Sequence, residues 1–166
     1  VRKGKDNGQI FDHDFVEYTY DDGSKMFSQC RHSRGCWNSV SEHAHGTNGW
    51  ANIGNATIYK PDGTTDWSYG KGGDGGHQEE HHDLFADLRN GVLPNEGEYG
   101  AMSTMTSILG RMATYSGQEI SMKDALASEV VISPIDKFTS MSDTPPVLPN
   151  EDMTYNIPMP GTTKVL

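Results

Sequence analysis

The sequence predicts an α+β domain with a mainly antiparallel sheet, because strand patterns occupy its first half and helix patterns its second half. Residues 11–20 alternate between two faces, as a β-strand does, and residues 25–32 return as the second strand of a hairpin. Between them, Asp21-Asp22-Gly23-Ser24 is typical of a turn, since Gly23 accepts a positive φ. Further short strands are predicted over residues 37–41, 56–59 and 65–69, the last two joined by a turn over residues 60–63.

Three helices are predicted in the second half. The first runs from about His77 to Asn90 and stops at Gly91. Asn95 is expected to cap the second helix, which ends at Gly117, and Ser121 to cap a short third helix. The expected buried stripes are Leu84, Phe85 and Leu88 in the first helix and Met102, Met105, Leu109 and Met112 in the second.

Charge excludes two classes of partner. The chain has 13 Lys and Arg against 23 Asp and Glu, for a net charge of -10. Binding to nucleic acid or to an anionic membrane surface needs clustered cations, so neither is expected. No apolar run approaches the roughly 18 residues that span a bilayer. Cys30 and Cys36 leave both a disulfide and two free thiols open, and with them the cell compartment.

Two short motifs suggest cofactors but lack their context. Residues 70–75 fit G-x-G-x-x-G, yet no acidic residue closes a following parallel strand, so we interpret them as a flexible loop. His77 and His81 fit the H-x-x-E-H pattern of zinc peptidases, but no third ligand is evident. We therefore expect neither a metal nor NAD(H) or NADP(H) on this chain alone.

Two clusters are candidates for substrate binding. Glu80 and His81 lie four and three residues before Leu84, so they are expected to point inward, either as an anchor of the helix start or in a substrate site. His43 and His45 share one side of a strand or loop, and with Trp37, Trp50 and Arg31 nearby in sequence they fit either a polar, aromatic-lined sugar site or an ordinary surface loop. The candidate substrate-binding residues are Arg31, Trp37, His43, His45, Glu80 and His81.

Several segments, in order, carry a family resemblance over most of residues 11–130. They are the hairpin with Asp22-Gly23-Ser24, the segment Ser41 to Gly49, the stretch Glu80-His81-His82-Asp83-Leu84 with Leu88-Arg89-Asn90-Gly91 after it, and the helix Ser103 to Gly117. Together they resemble the C-terminal domain of the glucose–fructose oxidoreductase/inositol dehydrogenase (Gfo/Idh/MocA) family.

The resemblance implies a large, open sheet with helices packed on one face. Such a domain shapes the pocket for a sugar, sugar acid or cyclitol, and its free sheet face builds homodimers or tetramers. It also implies that NAD or NADP is bound mainly by an N-terminal Rossmann domain outside this chain. Residues 1–133 are then the substrate-binding and oligomerisation domain, and residues 134–166 a proline-rich tail packing on it.

The chain departs from the family at its catalytic groups. The family's catalytic lysine belongs to the nucleotide-binding half, and a Gly-rich element with Asp and His opens the C-terminal half. His13, between Asp12 and Asp14, is not a match to that element, so no catalytic residue is expected here and the chain alone is expected to be inactive. The alternatives are an NAD-dependent glycosidase on the same scaffold, or a non-catalytic oligomerising or carbohydrate-binding domain.

Overall fold

The structure is a computed structural model that describes residues 10–70 and 76–166. The elements within these residues are β1 (His13–Thr19), β2 (Lys25–Arg31), β3 (His43–Gly46), β4 (Gly49–Asn52), β5 (Thr57–Tyr59), β6 (Thr65–Ser68), α1 (Gly76–Arg89), α2 (Gly97–Ser116), α3 (Met122–Leu126) and a short 3-10 helix (Ile135–Lys137). All strand pairs are antiparallel, so the predicted α+β class with an antiparallel sheet arrangement is confirmed.

The expected single large sheet is wrong for the described residues. The strands form a two-stranded sheet, β1-β2, and a four-stranded sheet in the order β3-β4-β5-β6. The predicted strand over residues 37–41 does not form, and the chain turns at residues 34–35 instead. A strand forms only where it has a pairing partner. Residues 43–46 have one in β4, because a two-residue turn joins Gly46 to Gly49.

The chain divides into two compact units. The first is Val1–Arg34 with Glu96–Leu166, and the second is Gly35–Asn95. The first unit therefore holds the hairpin β1-β2, the helices α2 and α3, and the C-terminal tail with its 3-10 helix. The second unit holds the four-stranded sheet and α1. The sequence-based division at residue 133 remains a prediction.

The core of the first unit forms where β1 packs on α2. Along β1, Val16 and Tyr18 are half-buried while Phe15 and Glu17 are exposed, which confirms the predicted alternation. The Tyr18 hydroxyl donates a hydrogen bond to the backbone oxygen of Thr106 at 3.0 Å, and burial raises its pKa. Among the described elements, a helix packs on this face of the hairpin alone, and the residues of the opposite face are exposed. The buried cluster is Leu109, Met112 and Ala125, with Tyr18, Met105, Ile120, Met122 and Val165 packed against it.

The end of α2 and the start of α3 lie where the sequence predicts them, and the start of α2 does not. Gly117 ends α2 with a φ of 69°, and Ser121 caps α3 by accepting a hydrogen bond from the Asp124 backbone N–H at 3.0 Å; both were predicted. The predicted cap of α2, Asn95, is wrong. The N-cap residue is Glu96, and its side chain makes no capping hydrogen bond. Met102, in the second turn of α2, was predicted to be buried but is exposed, because the part of this helix that is shielded from water begins at Met105.

The turn that connects β1 to β2 and the turn that connects β5 to β6 have the same structure. Gly23 and Gly63 take φ values of 83° and 82°, which glycine adopts without strain. Asp22 accepts hydrogen bonds from the backbone N–H and hydroxyl of Ser24 at 2.9 and 2.7 Å, and Asp62 does the same for Thr64. These bonds lower the pKa of both carboxyl groups, because they stabilise the ionised form.

The second unit has no buried residue among those described. Leu84, Phe85 and Leu88 of α1 are 41%, 51% and 44% exposed, so the expected buried stripe is wrong. The reason is tertiary: within residues 10–70 and 76–166, no other helix or strand packs on α1. No helix in these residues is both long and apolar enough to span a membrane.

Candidate carbohydrate-binding face

The pairing register of the four-stranded sheet collects aromatic rings on one face. His45 lies directly opposite Trp50, and Trp50 lies directly opposite Tyr59. Residues that face each other in an antiparallel pair point to the same side of the sheet, and His43 joins them because it is two residues from His45. We call His43, His45, Trp50 and Tyr59 the aromatic face.

The rings of the aromatic face pack on one another. The Trp50 and Tyr59 centroids are 4.1 Å apart with an interplanar angle of 17°, which is a close stack. His45 stacks on the other side of Trp50 at 6.2 Å and 18°, and His43 is tilted against it at 6.3 Å. Stacking holds each ring in place, so the surface is preorganised.

Polar side chains border the aromatic face. Asn52 lies opposite His43, Thr57 opposite Asn52, and Ser68 opposite Thr57, so all three share the side of the rings. The Thr57 and Ser68 hydroxyl oxygens are 3.3 Å apart, and the Asn52 side-chain oxygen accepts from the Asn55 backbone N–H at 3.0 Å. Apolar ring edges beside hydroxyl and amide groups match a sugar, which carries both C–H groups and hydroxyl groups.

Close strand approach depends on Gly49. Its φ is 150°, and a Cβ added there would overlap the Tyr59 backbone oxygen and lie 3.5 Å from the Lys60 Cα. Glycine therefore allows β4 to start next to β5, which brings Trp50 opposite Tyr59.

The structure brings together two of the six predicted site residues on this face, His43 and His45. Trp37 lies in the same unit on an irregular segment and is 81% exposed, whereas Arg31 belongs to β2 of the first unit. Tyr59 was missed by sequence reasoning, and Trp50 was noted only as a neighbour. The turn between Gly46 and Gly49 was the available signal, since it sets the register that places Trp50 opposite His45.

Glu80 and His81 do not point inward as expected. Their side chains are 64% and 59% exposed, and the His81 Nδ1 lies 3.7 Å from the Glu80 Oε1. The same Nδ1 is 2.7 Å from the His77 backbone oxygen, so the imidazole folds back on its own helix. This arrangement is that of a solvated helix start.

Neither cofactor motif gains support from the structure. Of the G-x-G-x-x-G segment, residues 71–75 lie outside the described residues. Among the described residues, no group of three or more His, Cys, Asp and Glu side chains is arranged to hold a metal ion. The expectation that the chain binds no metal and no dinucleotide remains a prediction.

The two cysteines are free thiols. Cys30 donates a hydrogen bond to the Asp14 Oδ1 at 3.2 Å. This bond raises the pKa of the Cys30 thiol, with partial burial adding to the effect, because the carboxylate disfavours a neighbouring thiolate. Cys30 is therefore a poor nucleophile at neutral pH.

Comparison of the chain with protein-family models, with curated proteins and with solved structures gives no match.

Proposed function

We propose that this chain is the substrate-binding and oligomerisation part of an NAD(P)-dependent oxidoreductase that acts on a sugar, sugar acid or cyclitol. The observation that carries the substrate class is the aromatic face, with Trp50 stacked between His45 and Tyr59. The oxidoreductase assignment is supported by the resemblance of residues 80–91 and 103–117 to the Gfo/Idh/MocA family.

The chemistry assigned to this chain is binding and orientation. The C–H groups of the sugar pack against the ring edges of Trp50 and Tyr59, while its hydroxyl groups bond to the polar border and to the imidazoles of His43 and His45. All strand pairs of the described residues are antiparallel, so these residues do not contain the parallel βαβ unit of a Rossmann nucleotide site. No step of hydride transfer is assigned to them.

Replacing Trp50 by alanine is expected to weaken sugar binding at least about tenfold, because it removes the central ring of the stack. The measurement is isothermal calorimetry with a panel of hexoses, a hexuronate and inositol. Trp67→Ala is the matched control, since Trp67 lies opposite Ile58 on the other face of the same sheet. A folded chain that binds no member of the panel, or an equal loss in both variants, would contradict the proposal.

The aromatic face also fits a non-catalytic carbohydrate-binding domain. A carbohydrate-binding domain leaves the bound sugar unchanged, whereas an oxidoreductase or a glycosidase converts it. In a protein that joins this chain to a nucleotide-binding domain, reduction of NAD or NADP by the bound sugar supports the oxidoreductase, and cleavage of an intact glycoside without net reduction supports the glycosidase.

The outer face of the hairpin is our proposed oligomerisation surface. Phe15 and Phe27 stack with centroids 5.9 Å apart, yet they are 60% and 58% exposed. Two large rings in water on an otherwise polar strand face favour burial against a second copy, and a two-fold dimer is the commonest such assembly. Apolar burial there must outweigh the repulsion from a net charge of -10.

Phe27→Lys is expected to shift the chain from dimer to monomer at micromolar concentration, because it places a charge in the interface. Light scattering coupled to gel filtration measures the mass directly. Val40→Lys is the control, since Val40 is fully exposed in the second unit and lies outside this face. A monomeric wild-type chain would show that the hairpin face is not a self-association surface.

A further inference from the structure

A concave site lies in the first unit. It is a cleft of about 490 Å³ lined by residues of α2, α3 and the C-terminal tail. This volume falls within the range of about 300–1,000 Å³ that is usual for small-molecule sites. Most of the lining is apolar, including Ile108, Val130, Ile157 and Val165.

The cleft follows one stripe of α2. Met105, Ile108, Met112 and Tyr115 all line it, at helical spacings of three and four residues. At 1.5 Å per residue, this stripe extends over about 15 Å. A site of this shape suits a linear apolar chain better than a compact ring.

The charge of the cleft is opposite to that of the chain. Arg111 and Lys164 line it, and no Asp or Glu does, although the chain has 23 acidic residues against 13 basic ones. Within the described part of the chain, neither cation forms a salt bridge. Arg111 lies over the Tyr115 ring, with its guanidinium carbon 4.4 Å from the centroid, so its charge is held beside the apolar stripe.

We propose that this cleft binds a linear carboxylate amphiphile, such as a medium-chain fatty acid. The apolar tail lies along the α2 stripe, where it removes methionine and isoleucine side chains from water. The carboxylate pairs with Arg111, whose planar guanidinium can donate two parallel hydrogen bonds, and with Lys164. A neutral or cationic amphiphile of equal length leaves both cations without a counter-charge.

Calorimetry with octanoate, decanoate and dodecanoate below their micelle concentrations tests the tail. Each pair of added methylene groups is expected to tighten binding about tenfold until the cleft is filled. Decanol and decyltrimethylammonium test the head, and both are expected to bind at least about tenfold more weakly than decanoate. Equal affinity for decanol and decanoate, or affinity independent of chain length, would overturn the proposal.

Two variants locate the site. Arg111→Gln and Lys164→Gln are each expected to lower the affinity for decanoate severalfold and to leave that for decanol unchanged. Lys137→Gln is the matched control, since Lys137 is an exposed cation of the first unit that does not line the cleft. Circular dichroism verifies that every variant is folded, and Lys164→Gln keeps the test valid if loss of the Arg111–Tyr115 contact unfolds the other. Unchanged decanoate affinity in a folded Lys164→Gln variant would place the ligand elsewhere.

Discussion

Replacing Gly110 by alanine is expected to destabilise the first unit by about 3 kcal/mol, the upper end of what overpacking of a core costs. Gly110 is buried in α2 where the helix meets β1. A Cβ at this position would overlap the Tyr18 hydroxyl and lie 3.1 Å from its ring carbon Cζ. Tyr18 cannot move aside without losing its hydrogen bond to the Thr106 backbone oxygen. Urea unfolding monitored by circular dichroism measures the free energy of unfolding.

The same helix supplies the control for this substitution. Gly100 is exposed in α2, and a Cβ there meets no atom within 4 Å. Gly100→Ala is therefore expected to stabilise the chain by about 1 kcal/mol, since alanine has the higher helix propensity. Opposite signs at the two glycines show that contact with Tyr18 decides the result. Stabilisation by Gly110→Ala would mean that β1 does not pack on α2 as described.

Tyr115→Ala is expected to cost about 3–5 kcal/mol of unfolding free energy, as for other large buried aromatic residues. Tyr115 is 6% exposed, and its ring centroid is 4.6 Å from that of Phe11. Its hydroxyl oxygen accepts a hydrogen bond from the Phe11 backbone N–H at 3.3 Å, and Arg111 covers its ring. One side chain thus joins the segment before β1 to the end of α2, and its removal opens a cavity in a small core.

Tyr99→Ala and Tyr115→Phe separate the contributions of burial and of the hydroxyl group. Tyr99 is in the same helix but 78% exposed, so its loss is expected to change stability by less than about 0.5 kcal/mol. Tyr115→Phe keeps the ring and removes one hydrogen bond, for a cost of about 1 kcal/mol. Equal effects at positions 99 and 115 in thermal or urea unfolding would refute the packing at Tyr115.

The size of the core explains why these effects are large. Among the described residues, four apolar residues are buried, Leu109, Met112, Tyr115 and Ala125, and all four belong to the first unit. Domain stability is a small difference between large terms, so a loss of about 3 kcal/mol removes a substantial fraction of it. By contrast, substitutions on the aromatic face of the second unit are expected to affect ligand binding more than folding, because that unit has no buried residue among those described.

The sequence by itself determined the features that depend on near neighbours. The alternation along β1, the αL glycine that ends α2 and the Ser121 cap of α3 were all predictable, because each rests on contacts within a few residues. The same holds for the two Asp-Gly turns, where the aspartate bonds to the residue two positions on. That His43 and His45 share a side also follows from local periodicity.

Only the tertiary structure decided which surfaces meet. The pairing of β3 with β4 and of β4 with β5 placed Trp50 between His45 and Tyr59, and it separated the strands into two sheets. Leu84, Phe85 and Leu88 of α1 were predicted to be buried and are exposed, because burial depends on what packs on the helix, and no described element packs on α1. Register and burial are set by contacts between residues distant in sequence, so the local pattern that formed each element could not determine them.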